Sequence, residues 1–267
     1  MHGFSITLAW LFTIALIHAQ PAWKSELSPA AHGPHPAIAP CALDFQITWK
    51  GLINSGILKM EFAPHDIKKP RVFIVRSSAA SLGAAATLFP YQSDFWSELD
   101  PMTFVPRLFH ATEIDKKEAV TTTARYWPSR VETRQITKLT ATGKASLTDE
   151  TFQFPRVFDI FSGMLHIRSQ PLNVGNQLAL VVCPFKAPYL LRVKVMAHEM
   201  HNGRASIRLN VAMQKIKTNT LELKPYKKLK QDATLWLSND ADRIPIEFRA
   251  AVFIGDVRAT LSKHQKF

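Results

Sequence analysis

From Leu43 onward, apolar and polar side chains alternate in short bursts: Phe45, Ile47 and Trp49, then Ile57 to Phe62, then Val72 to Val75. A period of two sends successive side chains to opposite faces of an extended strand, so only ribbons paired edge to edge can bury such a pattern. The bursts are short, and no strand-helix-strand rhythm separates them. They predict a mostly β domain: an antiparallel curved sheet, or a half-open barrel or meander, with one or two short covering helices.

The turns punctuate the same reading. Leu190 to Met200 and Arg204 to Met213 flank Asn202-Gly203, the pair best suited to positive φ at both central positions of a tight hairpin. Gly51 to Gly56 joins the first two strands. Thr234 to Ser238 and Ile244 to Ile254 form a hairpin around Asn239-Asp240-Ala241-Asp242, and Val257 to Leu261 ends the sheet after a bulge at Gly255. Two segments show helical spacing. Ser78 to Phe89 is Ala-rich and stops at Pro90, which cannot continue a helix. A second helix starts at Pro155 and lines up Val157, Ile160, Phe161, Met164 and Leu165 before Pro171, and it is expected to cover an open side of the sheet.

The first nineteen residues contain no Lys, Arg, Asp or Glu and form one apolar block, too short to span a bilayer comfortably. This predicts a signal peptide over residues 1–19, cut near Ala19-Gln20, with an uncleaved anchor as the alternative. The mature part is then periplasmic or secreted. Prolines 21, 29, 34, 36 and 40 predict a disordered leader over 20–42, followed by a single β-rich domain over 43–262 and a basic tail over 263–267. Cys41 and Cys183 can pair in an oxidising compartment, or Cys183 can remain a buried thiol within the apolar run from Leu178.

The chain carries a formal charge of +12, and Arg192 to Gln231 supplies ten Lys and Arg against Glu199 and Glu222. If the strands are neighbours, alternation turns Val193, Val195, Leu209, Val211, Phe248 and Val257 inward. It then places Arg192, Lys194, Arg208, Arg249 and Arg258 in a cationic stripe on the polar face. Such a face attracts anionic lipid, glycolipid or an acidic partner, and export argues against nucleic acid. A solvated basic face is the plainer reading.

Other stretches carry a family resemblance. Leu235-Trp236-Leu237-Ser238-Asn239-Asp240-Ala241-Asp242-Arg243-Ile244-Pro245, with Gly255-Asp256-Val257-Arg258-Ala259-Thr260-Leu261 after it, resembles the closing signature of the bacterial family called domain of unknown function 3108. Phe104-Val105-Pro106-Arg107, and Phe158-Asp159-Ile160 through Arg168 with Leu172 and Gly175, resemble earlier parts of that family in the same order. The resemblance spans roughly Leu43 to Leu261. It implies an envelope-located antiparallel β domain of Gram-negative-type bacteria with no assigned activity, in which Trp236, Asp240, Asp242, Arg243, Pro245 and Gly255 are structural. A curved sheet under a helix is also similar to lipoprotein-carrier half-barrels, a likeness of fold alone. The Pro-rich leader and the basic excess depart from the family pattern.

No catalytic motif emerges. His198-Glu199-Met200-His201 puts its histidines three apart on a strand, facing opposite sides, whereas the zinc-protease helix needs them four apart. His65, His110 and His166 are scattered and expected to be surface or capped side chains. Asp240 and Asp242 beside Arg243 form an acid pair that suits a turn better than acid/base chemistry. Trp96, Trp127, Trp236, Phe45, Phe62, Phe89 and Phe161 can line a lipid-sized cavity or fill the core. The reading that follows is an exported, non-catalytic binding or assembly protein without a cofactor or metal, contacting an anionic or amphipathic envelope component. A scaffold for another envelope protein, or a hydrolase near Asp240 and Asp242, are the alternatives.

Overall fold

The computed structural model describes residues 20–29, 31–35, 38–62, 72–227, 229–252 and 255–267. The expected signal at 1–19 and His65 lie outside the described residues. Two runs of antiparallel strands make up one sheet. The first comprises β1 (Cys41–Trp49), β2 (Ile53–Phe62), β3 (Phe73–Ser81), β4 (Tyr91–Leu99), β5 (Pro106–Asp115), β6 (Glu118–Trp127), β7 (Arg130–Leu139) and β8 (Ala145–Gln153). The second comprises β9 (Gln177–Val182), β10 (Tyr189–His201), β11 (Arg204–Ile216), the short β12 (Leu223–Pro225), β13 (Ala233–Ser238), β14 (Pro245–Val252) and β15 (Gly255–Lys266). Pairing of β15 with β1 welds the runs together, so the order is β8-β7-β6-β5-β4-β3-β2-β1-β15-β14-β13-β11-β10-β9, with β12 beside β11. Among the described residues β8 and β9 remain end strands, and the curved sheet is not closed into a barrel. The mostly β, antiparallel fold class expected from the alternation is the one observed.

Local chemistry explains the joints. Asn202 and Gly203 hold φ of 49° and 74°, and the β10–β11 ladder, which shifts register once between Val195 and Ala197, ends with His201 opposite Arg204, as the turn residues predicted. The first hairpin turns tightly at Lys50 and Gly51 (φ 54° and 71°), so Gly56 lies within β2 instead of in the turn. Gly255 is required: φ is 120°, and a Cβ there would come within 2.7 Å of Trp49 Nε1.

Several expectations are corrected. The Ala-rich segment is mostly strand: Ala79 and Ala80 pair with Leu58 and Ile57 on one side and with Ser93 and Gln92 on the other. Only α1 (Gly83–Leu88) is helical, because ladder hydrogen bonds outweigh the weak preference of a short helix. The second helix, α2 (Ile160–Ser169), begins five residues after Pro155, since Asp159 caps it and Phe158 is held in a parallel bridge to Val182. The Pro-rich leader, expected to be disordered, is packed at its described residues. A 3-10 turn at Ala22–Glu26 seats Trp23, which is 5% exposed, and the Ser28 amide and hydroxyl both hydrogen-bond the Ala179 backbone, each at 3.0 Å. Residues 263–266 continue β15 instead of forming a tail, with Cys41 opposite Lys266. Cys41 and Cys183 are free, buried thiols: Cys41 sits in the ladder between Phe62 and Lys266, and Cys183 Sγ turns to the Phe185 carbonyl at 3.4 Å. Burial pushes the Cys183 thiol up to about 12.

Two apolar clusters hold the molecule. The larger gathers Leu43, Phe62, Val75, Phe109 and Phe152 from the first run of strands around Phe161 and Leu165 of α2 and Trp23. The smaller packs Ile167 and Leu172 against Val193, Val195, Ile207, Leu209 and Leu237. Helix α2 therefore covers an open side of the sheet, as its stripe predicted. Phe248 was expected inward but is 40% exposed.

Candidate functional site

Strand register brings the predicted cations onto one face. Gln177, Lys194, Asn210, Thr234, Arg249, Arg258 and Thr48 form a lateral row across neighbouring strands, with Arg208 and Arg192 one step to either side. Four of the five cations have carboxylate partners. Arg192 binds Glu26 through two nitrogens at 2.6 and 3.1 Å, Arg208 meets Glu199 at 3.2 Å, Arg258 meets Asp256 at 2.9 Å, and Arg249 contacts Glu247. Lys194 is exposed and has no ion pair among the described residues. The stripe is thus largely neutralised in place, which weakens its long-range pull.

At its centre Trp236 organises a cluster that periodicity could not reveal. His201 stacks on the indole at 4.1 Å and 9°, the Arg249 guanidinium lies 4.8 Å from the ring centroid, and the indole N–H donates to Glu199 Oε1 at 2.8 Å. Beneath it Glu247 is buried. Burial raises its pKa, but donors on Arg249, Asn202 and His201 outweigh that and hold the carboxyl below the ordinary range. The only hint in sequence was the His-Glu-Met-His run. Its His201 turns to Glu247 at 3.1 Å while His198 turns to the Leu172 carbonyl at 2.7 Å. Among the described residues no group of three His, Cys, Asp or Glu could hold a metal ion.

The remaining signature residues brace the scaffold. Asp240 Oδ1 accepts from the Ser238 hydroxyl and from the Asp242 and Arg243 amides at 2.7 to 3.0 Å. Asp242 pairs with Lys266 at 2.6 Å. Arg243 is buried and donates to the carbonyls of Arg168 and Gln170 at 2.8 and 2.5 Å, capping the end of α2. Pro245 opens β14 opposite Leu237. His166, expected to be a surface or capped side chain, is buried on α2; His110 stacks on Trp96.

A cleft lies where the sheet fails to close. Leu27 and Pro29 form one wall; Phe154 and Phe158 form another; Ala179 to Val181 of β9 make the floor; the volume is about 670 Å3. Lys24 and Arg156 are among its lining residues, with Lys24 Nζ 5.7 Å from the Phe154 ring centroid and Arg156 held at φ 58°. None of the aromatics singled out in the sequence lines this cleft: Phe45, Phe62 and Phe161 are core, while Trp127 and Phe89 are exposed. The cleft was illegible because five of its twelve lining residues come from the supposed disordered leader. Its lining is mostly apolar, with the two cations and the polar Gln20 and Ser28 among it.

A family model described as protein of unknown function (DUF3108) matches residues 44–262. No curated protein matches the chain. Among solved structures, a β-barrel-like protein of domain of unknown function DUF1849 from Brucella abortus is similar, with a TM-score of 0.53 at 9% identity over 87% of this chain and 99% of that one. A candidate exported protein with a YmcC-like fold from Bacteroides fragilis aligns with a TM-score of 0.33 at 8% identity, over 89% of this chain and 100% of that one. The first likeness concerns fold alone.

Proposed function

The chain belongs to the DUF3108 family, whose description assigns no activity, and we propose that it is an exported, non-catalytic binding protein for an anionic amphiphile of the cell envelope. The ligand's acyl part lies in the cleft beside β9, and its charged group meets Lys24 and Arg156. The observation that supports this reading is one cleft that joins an apolar wall and floor to two cations. Its volume falls in the range of roughly 300–1,000 Å3 typical of small-molecule sites. Export rests on the uncharged apolar run at residues 1–19. The open edge of β8 favours a second reading, recognition of another envelope protein by strand addition.

Native mass spectrometry of the protein isolated from its own envelope tests the first reading. A lipid-sized adduct is expected, and the double variant Lys24→Glu/Arg156→Glu should lose it. The same variant should bind a fluorescent fatty acid about tenfold or more weakly, since each surface charge pair contributes up to about 1 kcal/mol and reversal doubles the effect. Both positions lie at the surface, so the fold should survive. Unchanged fatty-acid affinity in the variant, or a protein adduct in place of lipid, would sink the cleft as an amphiphile site.

A further inference from the structure

We propose that one rim of the first run of strands docks the protein on an anionic bilayer surface. The rim consists of the turns at 50–52, 82–90, 116–117 and 140–144. Strand direction assembles it: β1, β3, β5 and β7 run toward it, and β2, β4, β6 and β8 leave it, each antiparallel to the next. Backbone bonds knit neighbouring turns to their surroundings. Leu82 N–H donates to the Ser55 carbonyl at 2.9 Å, Thr140 N–H to Lys117 at 2.8 Å, and Lys50 N–H to Asp256 at 2.7 Å.

Two features of this rim belong together. The first is apolar: Leu52 is 87% exposed, Leu88 65% and Phe89 51%, with Ile53 and Leu82 also exposed. Helix α1, which lies between Leu82 and Phe89, buries none of its residues. Turns that face water are usually built from Gly, Asn, Asp and Ser, and bare leucine and phenylalanine gain nothing there. They gain by entering the boundary between headgroups and acyl chains. The second is charge. The four turns carry Lys50, Lys116, Lys117 and Lys144 and no Asp or Glu. The carboxylates at the flanking strand ends are partly engaged: Asp115 Oδ1 accepts the amides of Lys117 and Glu118, and Asp256 pairs with Arg258. At the opposite rim Met102 is 83% exposed. Apolar tips interleaved with lysines match an anionic headgroup layer, where both kinds of group are satisfied at once. This inference uses a different surface from the cleft and does not rest on it.

The test uses the full chain and vesicles of phosphatidylcholine, with or without phosphatidylglycerol. Sedimentation with the phosphatidylglycerol vesicles should exceed that with phosphatidylcholine alone and fall with salt. Lys116→Glu/Lys117→Glu/Lys144→Glu should weaken that binding roughly a hundredfold, from a contribution of about fivefold per surface lysine. Leu88→Asp/Phe89→Asp should weaken it about tenfold or more, because the exposed side chains no longer insert. All five positions lie at exposed turns, and residues 1–19 are common to every variant, so differences report the rim.

Since Cys41 and Cys183 are buried, Leu88→Cys and Met102→Cys each add one reactive thiol for a polarity-sensitive dye. The dye at 88 should shift to the blue on anionic vesicles and the dye at 102 should not. Equal sedimentation of wild type and rim variants, or a shift at 102 alone, overturns the proposal. Binding lost only in Lys24→Glu/Arg156→Glu also overturns it and assigns the contact to the cleft. Binding lost only in the rim variants leaves the cleft to its own test.

Discussion

His166 is buried on α2 between the rings of Phe158, 5.1 Å away, and His32, 6.4 Å away. Its Nδ1 has no hydrogen-bond partner among the described residues. Burial, aided by His32, lowers its pKa to about 4 from the ordinary 6.5. A base whose pKa is depressed by folding contributes stability that is full above the unfolded value and lost as pH falls toward the folded one. The loss here runs from about pH 6.5 to 4 and reaches on the order of 2–3 kcal/mol. Asp159, raised by burial, works in the opposite sense, because the folded state takes up its proton first. Comparing urea midpoints of wild type and His166→Leu at pH 7 and pH 4.5 isolates the histidine: the variant should lose less stability on acidification. Parallel losses would show that burial of His166 carries no such cost.

The element that most depends on one side chain is α2. Asp159 is fully buried, and its Oδ1 accepts the amides of Phe161 and Ser162 at 2.8 and 2.7 Å, while its Oδ2 meets the Ser97 hydroxyl of β4. The Ser162 hydroxyl reciprocates to the Asp159 amide at 2.9 Å, completing a capping box. One carboxylate thus fixes the helix start and ties it to the sheet. Asp159→Ala should destabilise by about 2–3 kcal/mol, combining the cap with the buried donors left unpaired. Ser97→Ala, which keeps the cap, should cost about 1 kcal/mol. Chemical denaturation decides: a loss below about 0.5 kcal/mol for Asp159→Ala would show that the cap is dispensable. The helix itself was legible in the stripe from Val157 to Leu165, but its start was not. Pro155 is locally suited to a first turn, yet pairing of Phe158 with Val182, a contact distant in sequence, and the bend at Arg156 keep 155–158 out of the helix.

At the scale of the whole molecule, the segment before β1 acts as a strap. Trp23 stacks on Phe154 at 5.6 Å and donates its indole N–H to the Leu221 carbonyl at 2.9 Å, joining the end of the first run of strands to the second. Arg192 and Glu26 fasten the same segment to β10. Trp23→Ala should therefore destabilise the entire domain by about 3–5 kcal/mol, and Trp23→Phe by less, since it keeps the ring contact and loses the hydrogen bond. Thermal unfolding that stays a single transition with an unchanged midpoint in Trp23→Ala would reject the strap. Five prolines and no periodicity made this stretch read as disordered. A few anchoring side chains leave no pattern when their partners lie more than a hundred residues away.

Alternation from Leu43, the Asn202-Gly203 turn and the spacing of α2 are properties of neighbouring residues, and they determined a curved antiparallel sheet with a covering helix without reference to anything distant. The register that joins β15 to β1, the neutralisation of the arginine stripe and the packing of the leader depend on which strands become neighbours. So do the cleft at the open seam and the gathering of Lys50, Lys116, Lys117 and Lys144 on one rim. Those relations were decided only when the tertiary structure brought residues far apart in the chain within a few ångströms, because charge pairing and cleft walls are set by distance in space, and a one-dimensional pattern does not encode it.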